Sequence, residues 1–357
     1  MASLRNGKAW LLGVLLVAGL VVPIFVEDTY LRHLFIISFV YGIVAASWDL
    51  TLGYAGIFNF AHIAFFGVGI YATALAAKLL GIDPWIAILI GGIAASAAAA
   101  IVALPIVRLQ GVYVVLVTFA FSQLVFQLVI SQSQVTGGTN GMVRIPTISL
   151  PGHNFLRDYK LGYYYVAFAL LVAATVCLRL LVRSDFGLSI KALRDNEDYG
   201  VSRGIPIARQ RLKALVASAF FTGVAGGFYV IYLRVASPEI FDFSTASLVL
   251  SMVLVGGTSS IYGPIVAALV LTFISEGLAN INNFAEGRFM LVSVAMIVVL
   301  LFFPKGLASV LPAASARRRK KRDRSESRNW KGTRVVPNDE RTGLRYLLFR
   351  WIVRPKP

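Results

Sequence analysis

Between Arg183 and Lys213 the chain reads RSDFGLSIKALRDNEDYGVSRGIPIARQRLK, with seven Lys/Arg and four Asp/Glu. Long apolar runs flank it, roughly 162–182 before and 214–235 after. A helix needs about 20 mostly apolar residues to cross a hydrocarbon core about 30 Å thick, and both runs qualify. Backbone N–H and C=O groups in lipid have no water to bond, so continuous runs of this kind span as helices. They are too long and unbroken for the alternating pattern of a membrane β-barrel. One conspicuous charged loop in an otherwise apolar chain calls for a soluble partner on that face.

The composition agrees. The 357 residues are 57% hydrophobic and 14% charged, against about a quarter charged in soluble domains, and mean hydropathy is +0.75. The sequence therefore predicts an all-α, polytopic transmembrane bundle of about eight to ten spans. Candidate spans are 10–26, 33–51, 57–80, 84–107, 111–131, 162–182, 214–235, 244–260, 263–282 and 288–304. Gly53–Gly56 and Gly256–Pro264 read either as turns or as breaks within discontinuous helices. Three regions follow: 1–32 with a first helix and short external loop, a transmembrane domain 33–307, and a basic tail 308–357. Arg5 and Lys8 before an apolar core resemble a signal peptide. Pro23-Ile24-Phe25-Val26 offers no small-x-small cleavage site, so a retained helix is expected.

Net charge is +17, of which +12 lies in residues 305–357. The basic character thus belongs to the tail and does not argue for nucleic-acid binding. The single cysteine, Cys177, excludes a disulfide framework and cysteine-based metal sites. His33, His62 and His153 are dispersed, with no metal-ligand spacing. There is no G-x-x-x-x-G-K-[ST] phosphate loop. The chain reads as a non-enzyme without a cofactor.

Cytoplasmic loops are rich in Lys/Arg. With an inner amino terminus, the ten-span scheme puts twenty-six Lys/Arg inside and seven outside, twenty-three of the former in the tail and the 183–213 loop. Small residues in the third span (Gly67, Gly69, Ala72, Ala76) and the fourth (Gly91 to Ala100) predict close helix packing. Ionisable residues inside spans are costly and often functional; Asp49, His62 and Glu276 are the candidates. In the charged loop, Leu188, Ala192 and Leu193 are expected on one face of a short helix from about Ser189 to Tyr199, ended by Gly200, Gly204 and Pro206. An exposed helix with an apolar edge and mixed charge suits docking into a groove on another protein.

At these residues the loop resembles the coupling loop of permease subunits in bacterial ABC importers for branched-chain amino acids. Arg194-Asp195-Asn196-Glu197, followed by Gly204-Ile205, is similar to that family's run. So are Gly53-Tyr54-Ala55-Gly56, His62 with Phe65-Phe66-Gly67, Gly69-Ile70-Tyr71, Thr136-Gly137-Gly138 with Gly141-Met142, Gly256-Gly257 through Gly263-Pro264, and Phe303-Pro304-Lys305-Gly306-Leu307. Together they cover roughly 35–307 in order. Departures are Asn59-Phe60-Ala61, where the family has Ser-Leu-Gly, and Tyr199-Gly200, where it has two alanines. If Tyr199 faces the ATPase, the groove there must be roomier or the partner changed to match.

The resemblance implies a type II ABC-importer permease-like subunit in the bacterial inner membrane, multi-pass, with both termini cytoplasmic. It implies a second permease subunit, two cytoplasmic ATPase subunits and an extracytoplasmic solute-binding protein. Coupling to the ATPase would fall to Arg194, Asp195, Asn196, Glu197, Asp198, Tyr199 and Gly204. Gly53, Gly56, Asn59, His62, Phe65, Gly67, Gly69 and Tyr71 offer hydrogen-bonding groups and apolar walls for a translocation path. The external loop Thr136, Gly137, Gly138 and Gly141 reads as a gate, a contact for the binding protein, or a plain glycine turn. Relatives in the family carry urea or short amides, which leaves the solute open. An ion-coupled secondary transporter using Asp49 or Glu276 is the reading from another class, in which D49N and E276Q abolish uptake; in the importer they have modest effect. A scaffold without transport is the third.

The tail departs from the family. Residues 315–341 are basic and polar and read as disordered. Leu344, Leu347, Leu348, Trp351 and Ile352 then recur at helical spacing among Arg341, Arg345, Arg350 and Arg354. A basic amphipathic helix over 341–354 lying on anionic inner-leaflet lipid is expected; an unstructured extension that aids orientation during insertion is the alternative.

Overall fold

The computed structural model describes Pro23, residues 28–148 and residues 160–279. The expected first and last spans (10–26, save Pro23, and 288–304), the 303–307 motif, the tail with its 341–354 helix, and His153 lie outside the described residues.

Asp28 opens the first described helix, its carboxylate accepting the Tyr30 backbone N–H at 2.8 Å. This helix, α1 (Thr29–Asp49), continues as a π-helical turn over Leu50–Tyr54. Between Leu34 and Trp48 it carries no charged residue and is mostly apolar on every side, as a helix surrounded by others must be: Ile36, Val44 and Trp48 are fully buried. α2 (Ala61–Lys78) follows a six-residue connection, and α3 (Pro84–Ile106) begins with Asp83 accepting from Trp85 N–H at 2.9 Å and proline in the first turn, where its missing N–H costs nothing. α4 (Val112–Ser131), α5 (Leu161–Arg183), α6 (Asp185–Asp195), α7 (Glu197–Ser202) and α8 (Ile207–Leu233) come next, then α9 (Phe243–Gly256) and α10 (Tyr262–Ala279). Two short strands, β1 (Met142–Val143) and β2 (Val235–Ala236), pair antiparallel with Met142 opposite Ala236.

α1 is central, packing against α5, α8, α9 and α10, while α2, α3 and α8 form the tightest trio. Among the described residues six helices are long and apolar enough to cross a membrane. The span expected over 244–260 is not a full crossing: α9 has 14 residues, a rise of about 21 Å against a core of about 30 Å. The Gly256–Pro264 stretch is a tight turn between α9 and α10, and Gly256 sits directly against the Gly263–Pro264 backbone. Before α9, the chain leaves α8 and folds back into the bundle. Phe241 is buried, its ring filling the space a Cβ at Gly67 would take and lying 6.3 Å from the Tyr71 ring.

The small residues of α2 and α3 meet a partner that periodicity within those spans does not name. A Cβ at Gly69 would collide with the Gly223 backbone on α8, and one at Gly223 would lie 2.5 Å from the Ala95 Cβ and 2.6 Å from the Gly91 carbonyl oxygen. Overpacking of this kind costs about 1–3 kcal/mol or more. G223L is therefore expected to lower the unfolding temperature of detergent-purified protein and its monodisperse yield. An unchanged melting curve would show that this three-helix contact tolerates a side chain.

Candidate functional site

The charged connector forms two helices instead of one. The expected helix over Ser189–Tyr199 breaks at Asn196, which is extended (φ −157°, ψ 105°) and whose side chain accepts the Tyr199 N–H at 2.9 Å. Asn gives the backbone a cap in place of a continuing helical bond, which is why it starts α7 and ends α6. Of the expected apolar face, Leu193 is buried and Leu188 is not. Gly187, Ile190 and Leu193 point inward, whereas Leu188 is 59% exposed; the inward row is spaced three by three, one position off the Leu188–Ala192 row. Gly200 is buried beside Leu193, and a Cβ there would stand 2.7 Å from Leu193 Cδ2. The Tyr199–Gly200 departure thus places the larger side chain outward and the smaller inward.

Arg194 turns back to the bundle. Its Nη1 donates to the Gly53 carbonyl at 2.6 Å and to Ser259 Oγ at 2.5 Å, and Nε and Nη2 donate to Asp195 Oδ1 at 3.0 and 2.7 Å. Ser259 Oγ itself donates to the Gly53 carbonyl at 2.7 Å. Asp49, fully buried, takes the Ser259 N–H on Oδ1 at 2.8 Å and the Ser260 N–H on Oδ2 at 3.0 Å. Three segments far apart in the chain therefore meet at one joint: the end of α1 with its π turn, the α9–α10 turn and the end of α6. Two of the glycines that sequence reading placed on a path, Gly53 and Gly56, serve this approach. A Cβ at Gly53 would overlap Asp49 Oδ1 and the Ser259 nitrogen, and one at Gly56 (φ 70°) would stand 2.8 Å from Arg194 Cγ.

Glu197 is engaged elsewhere, with Arg211 Nη2 at 2.9 Å and Gln110 Nε2 at 3.5 Å. It ties α7 to the start of α8 and to the α3–α4 connection, beside an open groove of about 470 Å³ lined by Phe58, Leu109, Val112 and Arg211. Asp198, Tyr199, Val201, Arg203 and Gly204 remain exposed. The Arg203 guanidinium lies 5.2 Å from the Tyr199 ring centroid and donates to its hydroxyl. The expected coupling residues therefore divide: Arg194 and Glu197 bind the bundle, and the α7 face carrying Tyr199 presents itself outward.

Of the remaining path candidates, Asn59, His62 and Phe65 form a buried cluster, and Tyr71 lies further along α2 against Phe241. Trp48 stacks on His62 at 5.1 Å and donates from Nε1 to the Asn59 carbonyl; Asn59 Oδ1 meets His62 Nδ1 at 2.9 Å, and its amide donates to Thr51 Oγ1 and the Ile57 carbonyl. Phe65 is fully buried and Tyr71 5% exposed. This network holds the 55–60 connection against α1. At the opposite end, Thr136 Oγ1 donates to the Val129 and Gln132 carbonyls and accepts the Gly138 N–H. Gly137, Gly138 and Gly141 all have positive φ, and Gly141 (φ 68°, ψ −175°) sits where only glycine is at ease. The loop is a compact turn fastened by β1 to β2. Glu276 borders a cavity of about 170 Å³ with His33, Tyr41 and Thr272.

Such a bundle defines a multi-pass helical membrane protein whose one long charged connector is folded and latched to broken helix ends. A family model described as "Branched-chain amino acid transport system / permease component" matches residues 30–301, and the chain belongs to that family. The "High-affinity branched-chain amino acid transport system permease protein LivM" of Escherichia coli (strain K12) is 28% identical over 292 residues, 76% of this chain and 68% of that protein. The "Probable branched-chain amino acid transport permease protein LivM" of Methanocaldococcus jannaschii is 24% identical over 328 residues, 79% of this chain and 94% of its own. The LivH counterpart from that organism is 24% identical over 283 residues, covering 75% and 89%. No solved structure matches.

Proposed function

We propose that this chain is the membrane-spanning permease subunit of an ATP-driven ABC importer that brings leucine, isoleucine and valine into the cell. The observation that carries the reading is the folded connector α6–α7. Its inner row is fixed to the bundle and its outer face, with Tyr199 and Val201 exposed, is left for a soluble subunit. A protein without a phosphate loop of its own needs such a lever, because a remote energy source acts only through contacts that differ between states.

On this reading the chain pairs with a second permease, in line with the similarity to proteins named LivM and LivH. Two ATPase subunits dock from the cytoplasm and a solute-binding protein delivers from the other side, meeting the Thr136–Gly141 loop. The chain lies in the inner membrane with both termini cytoplasmic. The domain boundaries 33–307 and 308–357 go with this reading, the 341–354 helix resting on anionic lipid. Asn59, His62, Phe65 and Tyr71 are buried in this conformation, so they meet solute only in another one. Gly53, Gly56, Gly67 and Gly69 act as close-packing points, against Ser259, Arg194, Phe241 and Gly223 respectively.

The ion-coupled alternative is disfavoured by Asp49, whose two carboxylate oxygens each accept a backbone N–H. Reconstitution decides between them. The full complex is expected to accumulate leucine in proteoliposomes only with ATP, E276Q included, and valine rather than urea or acetamide competes. Accumulation by the lone chain under a proton or sodium gradient would overturn the proposal.

A further inference from the structure

We infer that Arg194, Ser259 and Asp49 form a joint that carries movement of the α6–α7 connector to two helix breaks at once, the π turn ending α1 and the α9–α10 turn. Arg194 is then a positioning residue inside the permease and not part of the surface that grips the ATPase. The inference rests on the importer reading and adds to it the route by which force enters the bundle.

The contacts of α6 point there. Ile190 packs in one buried cluster with Ala46, Leu50, Tyr54 and Ile261, together with Leu178 and Val182 of α5. The Lys191 ammonium stands 5.1 Å from the Tyr54 ring centroid, and Arg194 reaches Gly53 and Ser259. The inner face of α6 thus bears on residues 46–54 and 259–261, which lead into α1 and α10. Those two helices pack along each other, and α1 also touches α5, α8 and α9. A push on α6 consequently reaches the centre of the bundle.

Both breaks are suited to bending. A π turn departs from the regular ladder and is a recurrent feature of functional helices. Ser259 has φ 63°, a left-handed conformation that costs a side-chain residue and that glycine adopts freely. Its hydroxyl donates to Gly53 and accepts from Arg194, its N–H goes to Asp49, and these bonds hold the turn in that shape. Glycine here would satisfy the backbone and keep the N–H bonds to Asp49, but would lose the hydroxyl that ties the turn to Gly53 and to Arg194.

That contrast supplies the test. S259G and R194Q are placed in the full complex, with the second permease, both ATPase subunits and the binding protein, in proteoliposomes. ATPase co-purification, ATP hydrolysis and leucine taken up per ATP are measured. S259G is expected to fold and melt close to the wild-type temperature, relief of the left-handed conformation offsetting the lost hydroxyl bonds, to keep its ATPase subunits and hydrolysis, and to lose roughly tenfold in leucine per ATP. R194Q is expected to keep its ATPase subunits and lose at least as much. Wild-type leucine per ATP in S259G would overturn the joint. Failure of R194Q to hold the ATPase subunits would instead make Arg194 a docking residue and overturn its assignment. A wild-type complex without ATP-driven uptake would remove the importer reading itself, a result distinct from either.

Discussion

Reversing both charges, R194E together with E197R, is expected to abolish ATP-driven leucine uptake in the reconstituted complex. The two side chains do not face each other in a pair, so exchanging their signs builds no replacement. Arg194 is held by Asp195, the Gly53 carbonyl and Ser259, with Asp49 just behind. A glutamate there turns a donor toward three acceptors into another acceptor. Glu197 is held by Arg211, and an arginine in its place sets two guanidinium groups together. Hydrogen bonds to charged groups contribute about 1.5–3 kcal/mol each, and the double variant removes several from the one segment that links connector to bundle. Uptake and ATP hydrolysis are measured side by side. Coupled transport at the wild-type rate would leave the connector without its assigned role.

The second large effect falls on the outward face. Tyr199 is 56% exposed, and its ring and hydroxyl engage Arg203 on the next turn of the same segment. An exposed aromatic ring stiffened by a neighbouring arginine is the kind of group that anchors an interface, where truncation of such residues costs 2 kcal/mol or more. Y199A is expected to weaken capture of the ATPase subunits by roughly thirtyfold and to leave the melting temperature of the purified chain unchanged. Titration of ATPase subunits onto nanodisc-held permease reads the first quantity, and a fluorescence melt the second. Unaltered affinity would move the docking surface away from α7. Placed beside R194Q, this variant separates grip from transmission, because Tyr199 bonds only within its own segment whereas Arg194, though exposed at its edge, reaches back to Gly53 and Ser259.

Asp49 shows how residue chemistry and residue role part company. From sequence it is a carboxylate near a span end, open to an ion-relay reading, and D49N carries a modest expected effect in an importer. In the fold it caps the α9–α10 turn with both oxygens. An asparagine would keep one acceptor and oppose an amide N–H to a backbone N–H, so its consequences belong to the joint and not to proton transfer. The Leu188 face is a smaller case of the same kind. Helical spacing placed it with Ala192 and Leu193, and the choice of which row turns inward fell to Ile190, which packs on Leu50 and Tyr54.

Six helical spans between Thr29 and Leu233, the charged connector and the small-residue packing surfaces were determined by the sequence alone. Transfer of apolar side chains out of water is a property of each twenty-residue window, and close packing needs only missing side-chain volume, so both are written locally. The joint of Asp49, Gly53, Arg194 and Ser259, the insertion of Phe241 against Gly67 and the pairing of the α2 and α3 glycines with Gly223 were decided by tertiary structure. Their partners stand up to 210 positions apart, and a hydrogen bond has no signature at either end until the chain has brought donor and acceptor within about 3 Å.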